Sequence, residues 1–208
     1  PQSFVRLAAV ESVQQIGDPS PAISKRLLDL SDDRHPVVRQ ALPRALSRSP
    51  EAVLHQFIDK MTTLSKSQRR LVTEAVFLSG KHSAKTLNVV VHLISISRYT
   101  EKIEKLLLKN GIKSLAAVVN YSNSMAIPES ADRLHAIASE ILENFIESDD
   151  DPKRRAKDPV VRDALYFALL IAPDDLSEIA LEALESLNLE KKTIIKECMD
   201  RAHHIRSA

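Results

Sequence analysis

The sequence predicts an all-α protein built from short antiparallel helix pairs. Only 3 of its 208 residues are Gly and only 4% are aromatic. Strands favour aromatic and β-branched residues, and tight hairpins need Gly. Leu, Ala, Glu, Lys and Arg are abundant instead, and these residues lose little on entering a helix. Apolar residues recur at three- and four-residue spacing, which is the helical pattern.

Breaks in this periodicity divide the chain into about twelve helices joined by short turns. Pro, Gly, Asp or Ser marks most breaks, as expected where a helix ends or begins. Short turns force neighbouring helices to pack antiparallel. The predicted helices lie near residues 4–16, 21–30, 37–47, 50–63, 66–79, 84–95, 99–109, 112–122, 129–147, 158–172, 175–188 and 190–205.

The turns carry the residue types that stop and start helices. Residues 17–19 (Gly-Asp-Pro) end the first helix with a glycine and a proline just beyond it. Ser20 and Pro21 then supply an N-cap and a proline at the first helical position. The charged stretch 148–157 (SDDDPKRRAK) has no apolar residue except Ala156, and it predicts a solvated loop.

Length and the continuous periodicity predict a single helical-repeat domain over residues 1–208. The chain opens at Pro1 without a methionine and is helical in pattern within a few residues. We therefore expect it to be a fragment of a longer protein.

A short motif, Val-Arg-x-Ala, opens a helix three times, at residues 5–8, 38–41 and 161–164. The longer stretches 36–42 (PVVRQAL) and 159–165 (PVVRDAL) agree at six of seven positions, and both follow an acidic turn. The arginines of the motif lie 33 and then 123 residues apart, and 123 is three times 41. Repeats of about 40 to 47 residues with two helices each are typical of helical solenoids.

These residues resemble the HEAT-repeat (HEAT/armadillo-like) family. The leucine-rich stretch 27–30, the acidic pair at 32–33 and the opening Val-Arg-x-Ala at 38–41 follow that family's helix, turn and second helix. The resemblance covers residues 1–48 and 158–188 best and fades over 81–128. It implies a right-handed solenoid of antiparallel helix pairs.

The resemblance also implies structural roles for four residues. In the HEAT pattern, the motif arginine pairs with a turn aspartate, so we expect Arg39 to pair with Asp32 or Asp33 and Arg162 with Asp158. The second helix of each pair lines the concave side in that family. This feature predicts an inner wall made of residues 36–48, 66–79, 99–109, 129–147 and 158–172.

Charge is distributed unevenly along the chain, although the net charge is only +1. Residues 1–120 hold 18 Lys and Arg against 10 Asp and Glu, and residues 121–208 hold 11 against 18. Cations on the presumed second helices of the basic half are candidates for partner binding. They are Arg44, Arg48, Arg69, Arg70, Lys102, Lys105 and Lys109, with Lys66 beside them. The alternative is that they form ordinary solvated helix faces.

The sequence offers no catalytic, metal or cofactor motif. It lacks a Gly-rich phosphate loop, a Gly-x-Ser-x-Gly elbow and a His-Glu-x-x-His pair, so we expect no enzyme activity, no cofactor and no metal site. No small-molecule substrate is indicated. No apolar run reaches the length of a membrane span, and one cysteine, Cys198, fits a reducing compartment. We therefore expect an intracellular protein, cytoplasmic or nuclear.

Two functions follow as hypotheses. The first is a non-catalytic scaffold for protein–protein interaction, which presents a curved helical surface to a partner protein with an acidic segment. The second is binding of the nucleic-acid phosphate backbone through the basic N-terminal half, within a larger complex.

Overall fold

The computed structural model describes residues 2–96, 98–124 and 128–206, with side chains up to residue 202 in the last range. Every regular element in these ranges is a helix, and they contain no strand. The all-α prediction is therefore confirmed. The chain divides into two compact units, Pro1–Leu93 and Ile94–Ala208. The prediction of one continuous repeat domain stays a prediction.

Six α-helices form the N-terminal unit. They are α1 (Ser3–Ile16), α2 (Pro21–Asp29), α3 (Pro36–Leu46), α4 (Glu51–Asp59), α5 (Lys66–Ser79) and α6 (Ala84–Val90). Short 3-10 turns extend three helices at Leu30–Asp32, Met61–Thr63 and Val91–Ser95. The predicted bounds agree within a few residues, and the 3-10 turns account for the longer predicted ends of α2, α4 and α6.

Seven α-helices are described in the C-terminal unit. They are α7 (Thr100–Asn110), α8 (Ile112–Ser124), α9 (Pro128–Ile146), α10 (Pro152–Lys157), α11 (Pro159–Ile171), α12 (Asp174–Ser186) and α13 (Lys191–Arg206). Helix α10 corrects the prediction of a loop over 148–157. The Asp151 side chain accepts a hydrogen bond from the Lys153 N–H, and Pro152 occupies the first helical position. These two residues are an ordinary helix start.

Side-chain caps define several other helix starts. The Ser20 hydroxyl accepts a hydrogen bond from the Ile23 N–H at the start of α2. Ser65 and Gln68 exchange side-chain and backbone hydrogen bonds of 3.1 and 3.2 Å, which makes a capping box at the start of α5. Gly80, with φ +69°, ends α5 in the left-handed region that glycine adopts without strain. Local chemistry therefore sets these helix boundaries.

In the N-terminal unit, alternate helices pack side by side. Helix α3 lies between α1 and α5, while α2 and its 3-10 turn pack against the buried side of α3. Helices α4 and α6 pack against α5 and against each other. The core between these helices is aliphatic, with Leu42, Leu46, Leu54 and Leu87 among its fully buried side chains.

In the C-terminal unit, α9 packs along α7 and α12, and α11 packs along α8 and α13. Helices α7, α9 and α12 therefore form one row, and α8, α11 and α13 form the other. The two rows face each other through the extensive α8–α9 and α11–α12 contacts. This arrangement corrects the predicted inner wall, which placed residues 99–109, 129–147 and 158–172 together. Helices α7 and α9 lie in one row and α11 lies in the other, because the short helix α10 takes no place in either row and α11 is the next long helix after α9.

The turn before α3 is organised by one carboxylate. Asp33 accepts hydrogen bonds from Arg6 Nε at 2.6 Å and Arg6 Nη2 at 2.9 Å, and from the His35 backbone N–H at 2.9 Å. Arg39 donates to the backbone carbonyl of Asp33 instead of its carboxylate, and the Arg39 side chain is exposed. The predicted contact of Arg39 with the turn at Asp33 is therefore present, but it reaches the backbone and is not an ion pair with the carboxylate. Arg6, from the first copy of the motif, makes that pair.

The second predicted pair is also replaced. Arg162 is half-buried, and it pairs with Glu197 of α13 and not with Asp158. The Asp158 side chain instead accepts a hydrogen bond of 2.9 Å from the Val160 N–H and caps α11. A second contact supports the same junction, since Arg201 of α13 pairs with Asp163 at 2.7 Å. Motif arginines in both units therefore join neighbouring helices, with acids that lie elsewhere in the chain.

None of the helices in the described ranges has the length and apolar content needed to cross a bilayer.

Removing the Arg6 guanidinium should raise the pKa of Asp33. The hydrogen bond from Arg6, followed by that from the His35 N–H, lowers the pKa of Asp33 from 3.8 to about 2. A lowered pKa means that the ion pair stabilises the fold above about pH 4 and that this stabilisation is lost as the pH falls towards 2. In Arg6→Gln, the Asp33 carboxyl should titrate closer to 3.8 in an NMR pH titration. An unchanged midpoint would contradict the assigned pair.

Arg162→Ala should destabilise the protein by about 1–3 kcal/mol, the usual range for a hydrogen bond to a charged group. The physical reason is that Glu197 is left half-buried without its partner and α13 loses one attachment to α11. Arg39→Ala, at an exposed position, should cost less than about 1 kcal/mol. Urea unfolding of both variants measures the two changes. If both variants lost the same free energy of unfolding, the ion pair of Arg162 with Glu197 would not stabilise the fold more than the exposed Arg39 does.

Candidate functional site

Helix α3 carries an exposed row of polar and cationic residues. Its buried side holds Val38, Leu42 and Leu46, which face the neighbouring helices. The remaining stripe is exposed and bears Arg44, and the turn that follows the helix bears Arg48. Because α1, α2 and α5 cover the other sides of α3, this stripe forms its free face.

Helix α5 adds further cations beside α3. Its middle, residues 71–76, is buried on all sides, so only its ends present charge to solvent. Lys66, Arg69 and Arg70 occupy the exposed first turns, just after the capping box that defines the helix start. We call the exposed cations of α3, its following turn and α5 the basic wall. Its members are Arg44, Arg48, Lys66, Arg69 and Arg70.

Members of the basic wall differ in how their charges are compensated. Arg70 Nε lies 2.9 Å from Glu74 Oε1, and Glu74 is buried, with 6% of its surface exposed. Arg70 therefore neutralises a carboxylate of the unit's interior. Arg44, Arg48, Lys66 and Arg69 make no ion pair with any residue in the described ranges. These four charges are available to an external anion.

The surrounding unit reinforces the positive potential of the wall. Residues 1–93 hold 13 Lys and Arg against 8 Asp and Glu, a net charge of +5. Part of that acidity is already engaged, since Asp33 is paired with Arg6 and Glu74 with Arg70. Clustered cations of this kind attract anionic partners and accelerate their association.

Lys102, Lys105 and Lys109 lie in the other unit, on α7, where the electrostatic environment is different. All three are exposed and make no ion pair within the described residues. The row they belong to is acidic, however, because α9 holds four acids against one arginine and α12 holds five acids and no Lys or Arg. One acid of α7, Glu104, is paired with Arg133 of α9 at 2.8 Å. The neighbouring carboxylates offset the attraction of these lysines for an anion.

Burial makes the Cys198 thiol and the Tyr166 hydroxyl harder to deprotonate. Burial raises the pKa of the Cys198 thiol, which disfavours the reactive thiolate. Burial likewise raises the pKa of the Tyr166 hydroxyl, whose residue is fully buried on α11. No group of three or more His, Cys, Asp or Glu side chains is placed to hold a metal ion in the part of the chain that the structure describes.

Comparison with protein-family models, curated proteins and solved structures found no match to the chain. The class is therefore defined by the structure alone: an all-helical protein with two compact units, one basic and one acidic.

Sequence reasoning identified the exposed cations but not their partners. It missed Arg6, although that arginine carries the same Val-Arg-x-Ala motif as Arg39 and Arg162. It also missed Glu74, which is buried and pairs with Arg70. The spacing of Arg70 and Glu74, one helical turn apart, was the available signal for their ion pair.

Arg70→Ala should reduce stability more than Arg69→Ala. The first change removes the hydrogen bond to a buried carboxylate, whereas the second removes an exposed side chain without an ion pair. Because the Arg70 side chain is itself 59% exposed, we expect a loss of only about 1 kcal/mol for Arg70→Ala and less than about 0.5 kcal/mol for Arg69→Ala. Chemical denaturation of the two variants measures this difference. If Arg69→Ala cost as much as Arg70→Ala, the ion pair with Glu74 would have no stabilising role.

Proposed function

We propose that the chain is a non-catalytic scaffold of stacked helix pairs, related in type to HEAT repeats, that binds a partner protein through an acidic segment. The observation that carries the proposal is the basic wall. Its four uncompensated cations lie on the adjacent helices α3 and α5 and in the turn between α3 and α4. An extended acidic segment laid across α3 and α5 would meet several of these charges in succession.

The packing of alternate helices supports the scaffold part of the proposal. Helices α1, α3 and α5 follow one another side by side, and so do α7, α9 and α12. Stacks of this kind bury one face of every helix and leave another face for recognition. The recurrence of Val-Arg-x-Ala at helix starts is a second sign of repetition.

Binding of the nucleic-acid phosphate backbone is the second candidate, since arginines suit phosphate as well as carboxylate. Three of the four uncompensated cations of the basic wall are arginines, which favours phosphate binding. Stacking on bases has less support, because α3 has no aromatic residue and Phe77 of α5 is half-buried. We rank phosphate binding second for that reason.

Charge reversal on the wall should weaken binding of an acidic partner. The variant Arg44→Glu/Arg69→Glu changes two exposed residues without touching the Arg70–Glu74 ion pair. Its affinity for a fluorescent Glu/Asp-rich peptide should fall at least about tenfold at low salt, and the difference should shrink as salt rises. Fluorescence anisotropy over a salt series measures both effects.

The matched control is Lys25→Glu/Arg26→Glu. These exposed residues of α2 belong to the same unit and give the same change in net charge, but α2 packs on the buried side of α3. The control should bind within about twofold of the parent protein. Equal weakening in both variants would reject the wall in favour of a nonspecific charge effect. Tighter binding to a single-stranded oligonucleotide than to the peptide, with a steep salt dependence, would favour the second candidate.

A further inference from the structure

The C-terminal unit contains a cavity of about 460 Å³ that no part of the proposed scaffold function uses. It lies among the α7–α8 junction, the last turns of α9, helix α10 and the first turn of α11. Its volume falls within the range of small-ligand sites. Because all of its walls belong to one compact unit, the cavity is a property of that unit alone.

Part of the cavity lining is apolar. Ile141, Phe145 and Val161 line it and are buried, while Leu108 and Ile112 add half-exposed aliphatic surface. Binding is favourable when a ligand's hydrocarbon group covers apolar surface that would otherwise contact water. The lining therefore favours a ligand with a nonpolar portion.

Two guanidinium groups of α10, those of Arg154 and Arg155, border the same cavity. Arg155 donates a hydrogen bond to the Phe145 carbonyl, and its guanidinium carbon lies 4.3 Å from the centre of the Phe145 ring. These contacts hold Arg155 in place, yet its Nε is buried without a hydrogen-bond partner. Neither arginine has an ion pair among the residues that the structure describes.

Two carboxylates also line the cavity, and both are engaged locally. Asp158 accepts a hydrogen bond from the Val160 N–H and caps α11. Asp150 accepts one from the Ser148 hydroxyl at 3.1 Å. Neither acid neutralises the guanidinium groups, but both would repel an ion with several negative charges. With two arginines and two aspartates the lining has no net formal charge, so a single carboxylate placed at the exposed Arg154 guanidinium fits it better than an anion with several charges.

From this combination we propose that the cavity binds a monocarboxylate that carries an apolar chain. The carboxylate interacts with the exposed guanidinium of Arg154, and the chain occupies the space beside Ile141, Phe145 and Val161. A guanidinium and a carboxylate form charge-assisted hydrogen bonds, the stronger class of hydrogen bond in proteins. The same chemistry occurs in a free aliphatic acid and in the C-terminus of a peptide that ends in a large apolar residue.

Calorimetric titration of the full chain with octanoate and with a short peptide ending in a free leucine carboxylate tests this proposal. Saturable one-to-one binding of at least one probe is expected. Binding of octanoate alone would identify a free acid as the ligand type, and binding of the peptide alone would identify a chain terminus. Octanamide and the amidated peptide should bind at least about tenfold more weakly, because they lack the charge that Arg154 recognises.

Matched variants on α10 locate the site. Arg154→Gln should weaken binding about tenfold or more, whereas Lys153→Gln, an exposed change one residue away that does not line the cavity, should leave the affinity within about twofold. Both residues are exposed, so neither change threatens the fold. Absence of saturable binding by both probes, or equal affinity of Arg154→Gln and the parent chain, would overturn the proposal. Tighter binding of inorganic phosphate than of octanoate would also overturn it.

Discussion

Burial of each helix against its neighbours is the constraint on which the rest of this structure depends. Several helices are short, such as α4 with nine residues and α3 with eleven. Isolated helices of this length are marginal in water, because nucleation costs more than a few hydrogen bonds return. Their stability therefore comes from tertiary contacts: α3 is held between α1 and α5, and α9 between α7 and α12. The faces left exposed by this packing carry the cations of the basic wall.

Ionic contacts connect these helices at their ends rather than build the core. Arg6 joins α1 to the turn before α3, and Arg162 joins α11 to α13. In both cases the acid lies about thirty residues away in sequence, at 27 positions from Arg6 and 35 from Arg162. The recurring motif thus supplies an arginine at a fixed place on the helix, while the partner is whichever carboxylate the packing brings near. The Val-Arg-x-Ala motif therefore predicted where the arginine lies on its helix, but not which carboxylate it pairs with.

The two units present different electrostatic surfaces, and this difference shapes what each can bind. In the N-terminal unit, Asp33 and Glu74 are paired with Arg6 and Arg70, whereas the other four cations of the basic wall make no ion pair in the described ranges. In the C-terminal unit, the acids of α9 and α12 outnumber the lysines of α7, and Arg154 and Arg155, which make no ion pair in the described ranges, border a cavity with an apolar lining. An extended anion therefore suits the first surface and a small amphipathic anion suits the second. The two proposals rest on separate observations, so each can fail without the other.

The sequence by itself determined the helical class, nearly all helix boundaries and the exposure of the seven candidate cations. These features are local: apolar spacing of three and four residues, caps such as Ser20 and Ser65, and Lys or Arg opposite a buried stripe. Only the tertiary structure decided which charges are compensated, because Glu74 is buried by helices from other parts of the chain and Arg6 meets an aspartate 27 residues away. The tertiary structure likewise showed that α10 is a helix beside a cavity. The signal for its start, Asp151 followed by Pro152, lies within a charged stretch that is typical of a loop, so the sequence pattern predicted a loop there. Contacts between distant segments depend on packing geometry, which no local pattern in the chain encodes.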